Sequence, residues 1–170
     1  MVQLYKGGKV MRFIIREKIF SFGDNFTVRT FEGYDAFKVI GKVFSLGNKL
    51  RLYTMDDREL VYIEQKLFKF LPEYHIYMDN SLAAVLKKEF SFFKPRMHIE
   101  SRFGNFYVEG NIFAYSFKVF KDGYMVADIY KKMMAFSDTY EVDISDSENH
   151  AFILSLVIAI DQIFHDDKNN

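Results

Sequence analysis

The chain has 170 residues, which suits one domain and requires no second. Its 23 Lys and Arg residues balance its 23 Asp and Glu residues, so no net charge favours a nucleic-acid partner. The absence of cysteine excludes disulfides, cysteine-ligated metals and thiol nucleophiles, while an aromatic content of 18% with only two prolines favours strands over helices.

The first ten residues contain Lys6 and Lys9 but no apolar core of a signal peptide or membrane anchor. Residues 1–10 are therefore expected to be a leader or a first edge strand. One domain is predicted over residues 11–165, followed by a polar tail at residues 166–170. We expect a soluble, cytoplasmic protein, with peripheral association with a membrane as a further expectation.

A short motif then recurs along the chain, with a lysine followed two residues later by an aromatic or apolar residue. The lysines step by 24, 24, 22 and 44 residues, and Gly110 occupies the place of a missing copy. A regular period of this kind indicates repeated supersecondary units, so six units are predicted. The motif begins at Lys18, Lys42, Lys66, Lys88 and Lys132.

Each unit contains two extended runs joined by a turn. In the third unit, apolar Tyr74, Ile76 and Met78 alternate with polar residues, which is typical of a strand with one buried face. The turn signals predict hairpins, so about twelve consecutive antiparallel strands are expected. The turn signals are Glu32-Gly33, Asp56-Asp57, Asp79-Asn80, Gly104-Asn105 and Asp122-Gly123.

The segment 145–164 is apolar on every side. Ser145 and Glu148 have the spacing of a capping box, which predicts a helix from about 146 to 164. Such a helix must be surrounded, yet its apolar run from 151 to 160 is shorter than the roughly 20 residues that cross a bilayer. We therefore expect the preceding strands to surround it.

The helix also selects the arrangement of the strands. A sandwich packs its sheets about 10 Å apart and leaves no space for a helix, and propeller repeats need about 40 residues or more. The lumen of a closed twelve-stranded barrel, in contrast, accommodates a helix about 10 to 12 Å wide. The predicted fold class is mainly β, a closed twelve-stranded antiparallel barrel enclosing a hydrophobic C-terminal helix.

The repeated Lys-x-Phe-Ser-x-Gly motif, residues 16–24, Phe93-Lys94-Pro95 and the helix ending at Ala159-Ile160-Asp161 resemble the LURP-one-related proteins of bacteria and plants. The resemblance runs from about Met11 to Gln162. That family is similar to the Tubby C-terminal domain and the phospholipid scramblases, which implies the same barrel around a helix. Relatives are associated with phosphoinositide binding, membrane-tethered regulation, lipid scrambling and plant defence.

The repeated lysines are candidates for contact with an anionic surface. On the outer wall of a barrel they would form a ring or stair of positive charge, each contributing about 1 kcal/mol near anionic lipid. The favoured alternative is that they protect the strands and pair with Glu17, Glu64 and Glu89. The candidate surface residues are Lys18, Lys42, Lys66, Lys87, Lys88, Lys94, Arg96, Lys131 and Lys132.

No catalytic, metal or cofactor site is predicted. The four histidines, at positions 75, 98, 150 and 165, lack metal-ligand spacing, and the chain contains no Gly-x-Ser-x-Gly, phosphate-binding loop or His-Glu-x-x-His. Two polar residues are expected inside the barrel. Ser155 can bond to a carbonyl one turn back, whereas the charge of Asp161 must be paired or neutralised.

Asp161 therefore has two interpretations. In the first it is a proton-handling or ligand-binding acid. In the favoured one it lies near the helix exit and accepts hydrogen bonds from a strand backbone or an arginine.

Three functional hypotheses follow. The leading one is a non-catalytic binding or scaffold domain that contacts anionic phospholipid or a protein. The second is a soluble regulatory domain whose partner is a protein. The third, less favoured, is an enzyme with a site at a barrel mouth around Asp161. No nucleic-acid partner and no transmembrane span are predicted.

Overall fold

The computed structural model describes residues 8–16, 25–41, 47–88, 96–112, 114, 116–132 and 139–165. These residues form twelve strands followed by one helix. In chain order the elements are β1 (Val10–Arg16), β2 (Phe26–Thr30), β3 (Asp35–Gly41), β4 (Lys49–Tyr53), β5 (Glu59–Gln65), β6 (Glu73–Met78), β7 (Ser81–Lys87), β8 (Arg96–Ser101), β9 (Phe106–Asn111), β10 (Ser116–Lys121), β11 (Tyr124–Lys132), β12 (Thr139–Ser145) and α1 (His150–His165).

The strands form a closed barrel in which each one pairs with its neighbours in the sequence. Closure is made by β1 and β12, which run antiparallel from the pair Val10 and Ser145 to the pair Arg16 and Thr139. A closed sheet has no edge at which another chain can add. The predicted fold class is confirmed. Val10 already belongs to β1, while residues 1–7 and the predicted tail lie outside the described residues.

The predicted turn residues connect even-numbered strands to the next odd-numbered strands. Asp79 and Asn80 have φ angles of 51° and 57°, and Asp122 and Gly123 have angles of 49° and 86°. Two successive positive φ angles are the geometry of a type I′ turn, whose twist matches that of the flanking strands. Asp, Asn and Gly tolerate this backbone best, which explains why turn chemistry located these hairpins correctly.

The helix α1 lies inside the barrel and is buried all round. Leu154, Leu156 and Ile160 are 0% exposed, Ile158 is 2% and Val157 is 5%. These positions point in different directions around the helix axis, so only an enclosing wall can bury them all. Apolar residues on the inner face of the strands complete one core cluster with the helix. The predicted enclosure of the helix is confirmed.

The predicted start of the helix is wrong. Ser145 is the last residue of β12, and α1 begins at His150. Asn149 is the cap, because its Oδ1 accepts a hydrogen bond from the Phe152 amide at 3.0 Å. The Glu148 carboxylate instead accepts a hydrogen bond from Lys121 Nζ at 2.9 Å. The reason lies in the tertiary structure, since a helix starting at Ser145 would remove the last of the seven residue pairs between β1 and β12, that of Val10 with Ser145.

The antiparallel order sends alternate connections to opposite ends of the barrel. We call the end that carries the turns after the even-numbered strands, together with the first residues of α1, the entry end. The other end, which carries the connections after the odd-numbered strands and the last residues of α1, is the exit end. A hydrogen bond of 3.4 Å from Asn48 Nδ2, between β3 and β4, to Gln162 Oε1 of α1 fixes the helix at the exit end.

Candidate functional site at the exit end of the barrel

The connection between β5 and β6 is the described exit-end segment with the most exposed apolar surface. We call residues 66–72, Lys66-Leu67-Phe68-Lys69-Phe70-Leu71-Pro72, the exit loop. Its base is held by two backbone hydrogen bonds, from the Lys66 amide to the Glu73 carbonyl at 2.8 Å and from the Lys88 amide to the Pro72 carbonyl at 3.0 Å. The loop is therefore anchored to β6 and to the end of β7.

Two phenylalanines of the exit loop are exposed to solvent. The exposed fractions of Phe68 and Phe70 are 103% and 93%. Phe68 also has a φ angle of 61°, in the left-handed region, which is a rare and strained conformation for a bulky residue. At these exposures both rings lie outside the barrel core.

The lysines of the exit loop lie beside carboxylates. Lys66 Nζ is 2.5 Å from Glu64 Oε2, and Lys69 Nζ is 3.8 Å from Glu73 Oε2. Hydrogen bonds to Glu64 and then to Tyr77 raise the pKa of Lys66 above its usual value. Lys66 therefore remains cationic at neutral pH, with part of its charge offset by Glu64.

Burial alone would raise the pKa of Glu73. Its hydrogen bond with His75, at 2.7 Å, and the charge of Lys69 outweigh burial and lower that pKa below its usual value. Glu73 is therefore ionised at neutral pH and offsets part of the charge of Lys69.

The other described members of the predicted lysine set lie at strand ends near the exit end. Lys87 Nζ is 3.7 Å from Glu100 Oε1, and Lys132 Nζ is 2.7 Å from Glu141 Oε1. Lys88 directly follows β7. The favoured interpretation of the repeated lysines expected ion pairs of this kind with glutamates. Glu64, however, pairs with Lys66, which is two residues further along the chain and not across the sheet.

Lys131, a predicted neighbour of the repeated lysines, lies on the inner face of β11. It belongs to the row of β11 that includes the buried residues Ala127 and Ile129, and its Nζ lies 5.8 Å from the ring centroid of buried Tyr140. It therefore faces the barrel mouth. Arg96 is the first residue of β8. Lys18, Lys42 and Lys94, together with Glu17 and Glu89, lie outside the described residues.

The two predicted polar residues of the helix are buried. The Ser155 hydroxyl donates a hydrogen bond of 2.6 Å to the Phe152 carbonyl, which confirms the expected bond to the preceding turn. Asp161 is 3% exposed and lies in the last part of α1, close to the helix exit, as the favoured interpretation placed it. Asp161 takes part in an interaction with another part of the chain. Which groups bind it stays a prediction.

A polar network on the outer wall was not found by sequence reasoning. Arg12 of β1 binds Asp143 of β12 in bidentate fashion, with Nε to Oδ1 at 2.6 Å and Nη2 to Oδ2 at 2.8 Å. Arg12 Nη1 also lies 3.2 Å from Glu141 Oε2, which accepts a hydrogen bond from the Tyr130 hydroxyl at 2.8 Å. The sequence signal for this network was the alternation of β12. Because Tyr140 and Val142 point inward, Glu141 and Asp143 between and after them must point outward.

The electrostatics of this network stabilise the barrel closure. Burial would raise the pKa of Glu141, but hydrogen bonds from Lys132 and Tyr130 and the nearby Arg12 lower it overall. Burial, followed by the bond to Glu141, raises the pKa of Tyr130. The hydrogen bond to Asp143 raises the pKa of Arg12. Glu141, Tyr130 and Arg12 therefore keep their protonation states near neutral pH, and the contacts of Arg12 join β1 to β12 as a clamp.

Within the described part of the chain, no three His, Cys, Asp or Glu side chains are grouped so as to bind a metal ion. Over those same residues, no helix has both the length and the apolar character needed to span a bilayer.

Comparisons with known proteins give three findings. The family model described as LURP-one-related matches residues 11–161. Uncharacterized protein YxjI of Bacillus subtilis (strain 168) is 27% identical over 160 residues, which cover 94% of this chain and 98% of that protein. The X-ray structure of a protein from Arabidopsis thaliana is similar with a TM-score of 0.66 at 21% identity, covering 95% of this chain and 91% of that one.

The family match confirms the resemblance seen in the sequence motifs. The likeness to the plant structure supports the fold alone, because its sequence identity is low. The wider similarity to Tubby and scramblase domains stays a prediction.

Proposed function

This chain belongs to the LURP-one-related family, and on that premise we propose that it is a non-catalytic binding domain whose barrel exit end contacts an anionic lipid surface. The observation that carries the proposal is the exit loop, in which two exposed phenylalanines alternate with lysines. An aromatic side chain that enters the headgroup region beside cationic groups is the usual chemistry of peripheral membrane attachment.

The aromatic side chains supply most of the expected binding energy. Moving one phenylalanine from water into an apolar environment contributes about 1.5 to 3 kcal/mol. A lysine near an anionic leaflet contributes about 1 kcal/mol, and less when a carboxylate such as Glu64 lies beside it. We therefore expect insertion of Phe68 and Phe70 to provide affinity, while the lysines provide the preference for anionic lipid.

The repeat supports a contact wider than one loop. The motif places an aromatic residue two positions after the lysine at Phe20, Phe44 and Phe90 as it does at Phe68. These three residues lie outside the described part of the chain, so their contribution is a prediction from sequence. Several weak contacts acting together bind far more tightly than one.

Vesicle flotation tests the proposal. The full chain at low salt is expected to float with vesicles that contain phosphatidylserine and much less with phosphatidylcholine alone. The double variant Phe68→Ser and Phe70→Ser should lose flotation. The matched control is Phe31→Ser, which removes a phenylalanine that is 60% exposed in a turn at the entry end, and it should float like the original protein.

Equal recovery with both kinds of vesicle, or flotation that survives the double variant, would refute lipid contact through this loop. If the chain floats with neither vesicle, the alternative hypothesis gains support, in which the same exposed loop contacts a protein. Raising the salt concentration should weaken flotation, because interactions with exposed charges are screened.

A further inference from the structure

A groove with a volume of about 580 Å³ lies on the outer wall, across β4, β5 and β6 and the turn that follows. Its size is within the range typical of small-molecule sites. Lys66 of the exit loop reaches its edge, where its Nζ lies 5.5 Å from the Tyr77 ring centroid, and the sequence pattern did not predict its polar and aromatic lining. We call it the tyrosine groove, and its main lining residues are Arg51, Glu59, Tyr62, Tyr77, Asp79 and Asn80.

The floor of the tyrosine groove is one row of residues on adjacent strands. Arg51 lies directly opposite Tyr62, and Tyr62 lies opposite Tyr77. The guanidinium carbon of Arg51 is 4.5 Å from the Tyr62 ring centroid, and the two tyrosine rings stack with centroids 5.8 Å apart at 27°. Cross-strand contacts therefore position these side chains before any ligand binds.

Two carboxylates at the edge of the groove lie beside arginines. Glu59 Oε2 lies 3.1 Å from Arg51 Nε and accepts a hydrogen bond of 3.4 Å from the Tyr53 hydroxyl. Asp79 belongs to the type I′ turn, and its Oδ2 lies 3.6 Å from Arg102 Nη2. A site whose groups are already oriented loses little entropy when a ligand binds.

The charges of the groove disfavour ionic ligands of either sign. A cation would compete with Arg51 at Tyr62 and with Lys66, whose Nζ lies 5.5 Å from the Tyr77 ring centroid. An anion would meet the carboxylates of Glu59 and Asp79, and the charge of Arg51 is already offset by Glu59. The remaining class of ligand is neutral and rich in hydrogen-bonding groups.

We propose that the tyrosine groove binds a neutral carbohydrate. The hydroxyls of a sugar are both donors and acceptors, so they match a lining in which Glu59 and Asp79 accept while Arg51 and Asn80 donate. Because Arg51 and Tyr77 lie over the faces of the Tyr62 ring, Tyr62 offers a sugar its ring edge and its hydroxyl. Burial raises the pKa of Tyr62, so its hydroxyl also stays a donor.

Titration of the ¹⁵N-labelled full chain with maltotriose, cellotriose and chitotriose, each followed by NMR, tests the inference. At least one sugar should give saturable amide shifts in β4, β5 and β6. Tyr62→Ala and Glu59→Gln should each weaken that affinity by about tenfold or more. Glu59→Gln keeps the shape of its side chain, so it remains informative even if Tyr62→Ala fails to fold.

The matched control is Tyr107→Ala, which removes another tyrosine stacked on an aromatic partner. Tyr107 and Phe120 have ring centroids 4.8 Å apart on β9 and β10, outside the groove. Sugar affinity should be unchanged in this variant. The inference is overturned if no sugar gives saturable shifts or if the shifts lie elsewhere on the barrel. The carbohydrate inference does not depend on lipid contact, so each of the two proposals can be refuted without the other.

Discussion

Replacing Val157 with aspartate is the most direct test of the enclosed helix. Val157 is 5% exposed and lies in the middle of α1. The substitution brings a carboxylate into the barrel core, where the charged form is strongly disfavoured. The group is therefore expected to take up a proton and become neutral in the folded state.

The size of the effect follows from the proton and the lost contacts. Holding a carboxyl group with an ordinary pKa near 3.9 in its neutral form at pH 7 costs about 4 kcal/mol. Loss of the buried valine adds about 1.5 kcal/mol. The total of roughly 5 to 6 kcal/mol is comparable with the whole stability of many domains, about 5 to 15 kcal/mol.

The measurement is urea denaturation followed by near-UV circular dichroism, with the free energy of unfolding taken from the midpoint and slope. The control is Val10→Asp, at a position of β1 that is 40% exposed, which should change stability little. Because the introduced carboxyl group has a raised pKa when folded, its destabilisation should shrink as the pH falls towards 4.

The reasoning fails if Val157→Asp loses no more stability than Val10→Asp. Such a result would mean that one side of α1 is accessible to water, and that the helix docks on the barrel without being enclosed by it.

Three further predictions concern other parts of the barrel. Asn149→Ala should lower the free energy of unfolding by about 1 kcal/mol, measured by urea denaturation, while Asn149→Gly should lower it by only a few tenths, because glycine also tolerates the cap position. The pKa of Glu141 is lower in the folded state than in the unfolded state. The stability that Glu141 contributes is therefore complete above its ordinary pKa and is lost as the pH falls through its folded-state pKa. Acid unfolding of Glu141→Gln should therefore depend less steeply on pH than that of the original chain, and equal slopes would contradict the clamp. Gly110→Ala should destabilise the protein far more than Gly33→Ala. A Cβ at Gly110 would lie 2.5 Å from the Ser116 carbonyl oxygen, whereas a Cβ at Gly33 would have no atom within 4 Å. Similar melting temperatures of the two variants would refute this close approach.

Gly110 also explains the one irregular copy of the repeat. Its φ angle is 126°, and the backbone of β10 lies where a side chain would begin. A lysine at this position would clash with Phe117 and adopt a strained backbone. The sequence showed that a glycine replaces the lysine, but the reason lies in the packing of two adjacent strands.

Some features of this protein follow from neighbouring residues alone. Alternation in segments such as Tyr74-Ile76-Met78 depends on the period of a strand, and Asp79-Asn80 depends on the backbone preferences of those two residues. Together with an apolar segment at 151–160 that is too short for a bilayer, these local signals were sufficient to predict the barrel and its central helix.

Other features depend on partners that are distant along the chain. Ser145 belongs to β12 because Val10 pairs with it across the barrel closure, which overrides a capping pattern that local spacing favoured. The tyrosine groove exists because Arg51, Tyr62 and Tyr77 meet in one row, and that row requires the register of three strands. The exposure of Phe68 could not be predicted from the sequence either, because the apolar pattern of its motif is the same as that around a buried residue. Local chemistry therefore determined the elements and their order, whereas register and burial, which arise only when distant strands pair, decided the sites.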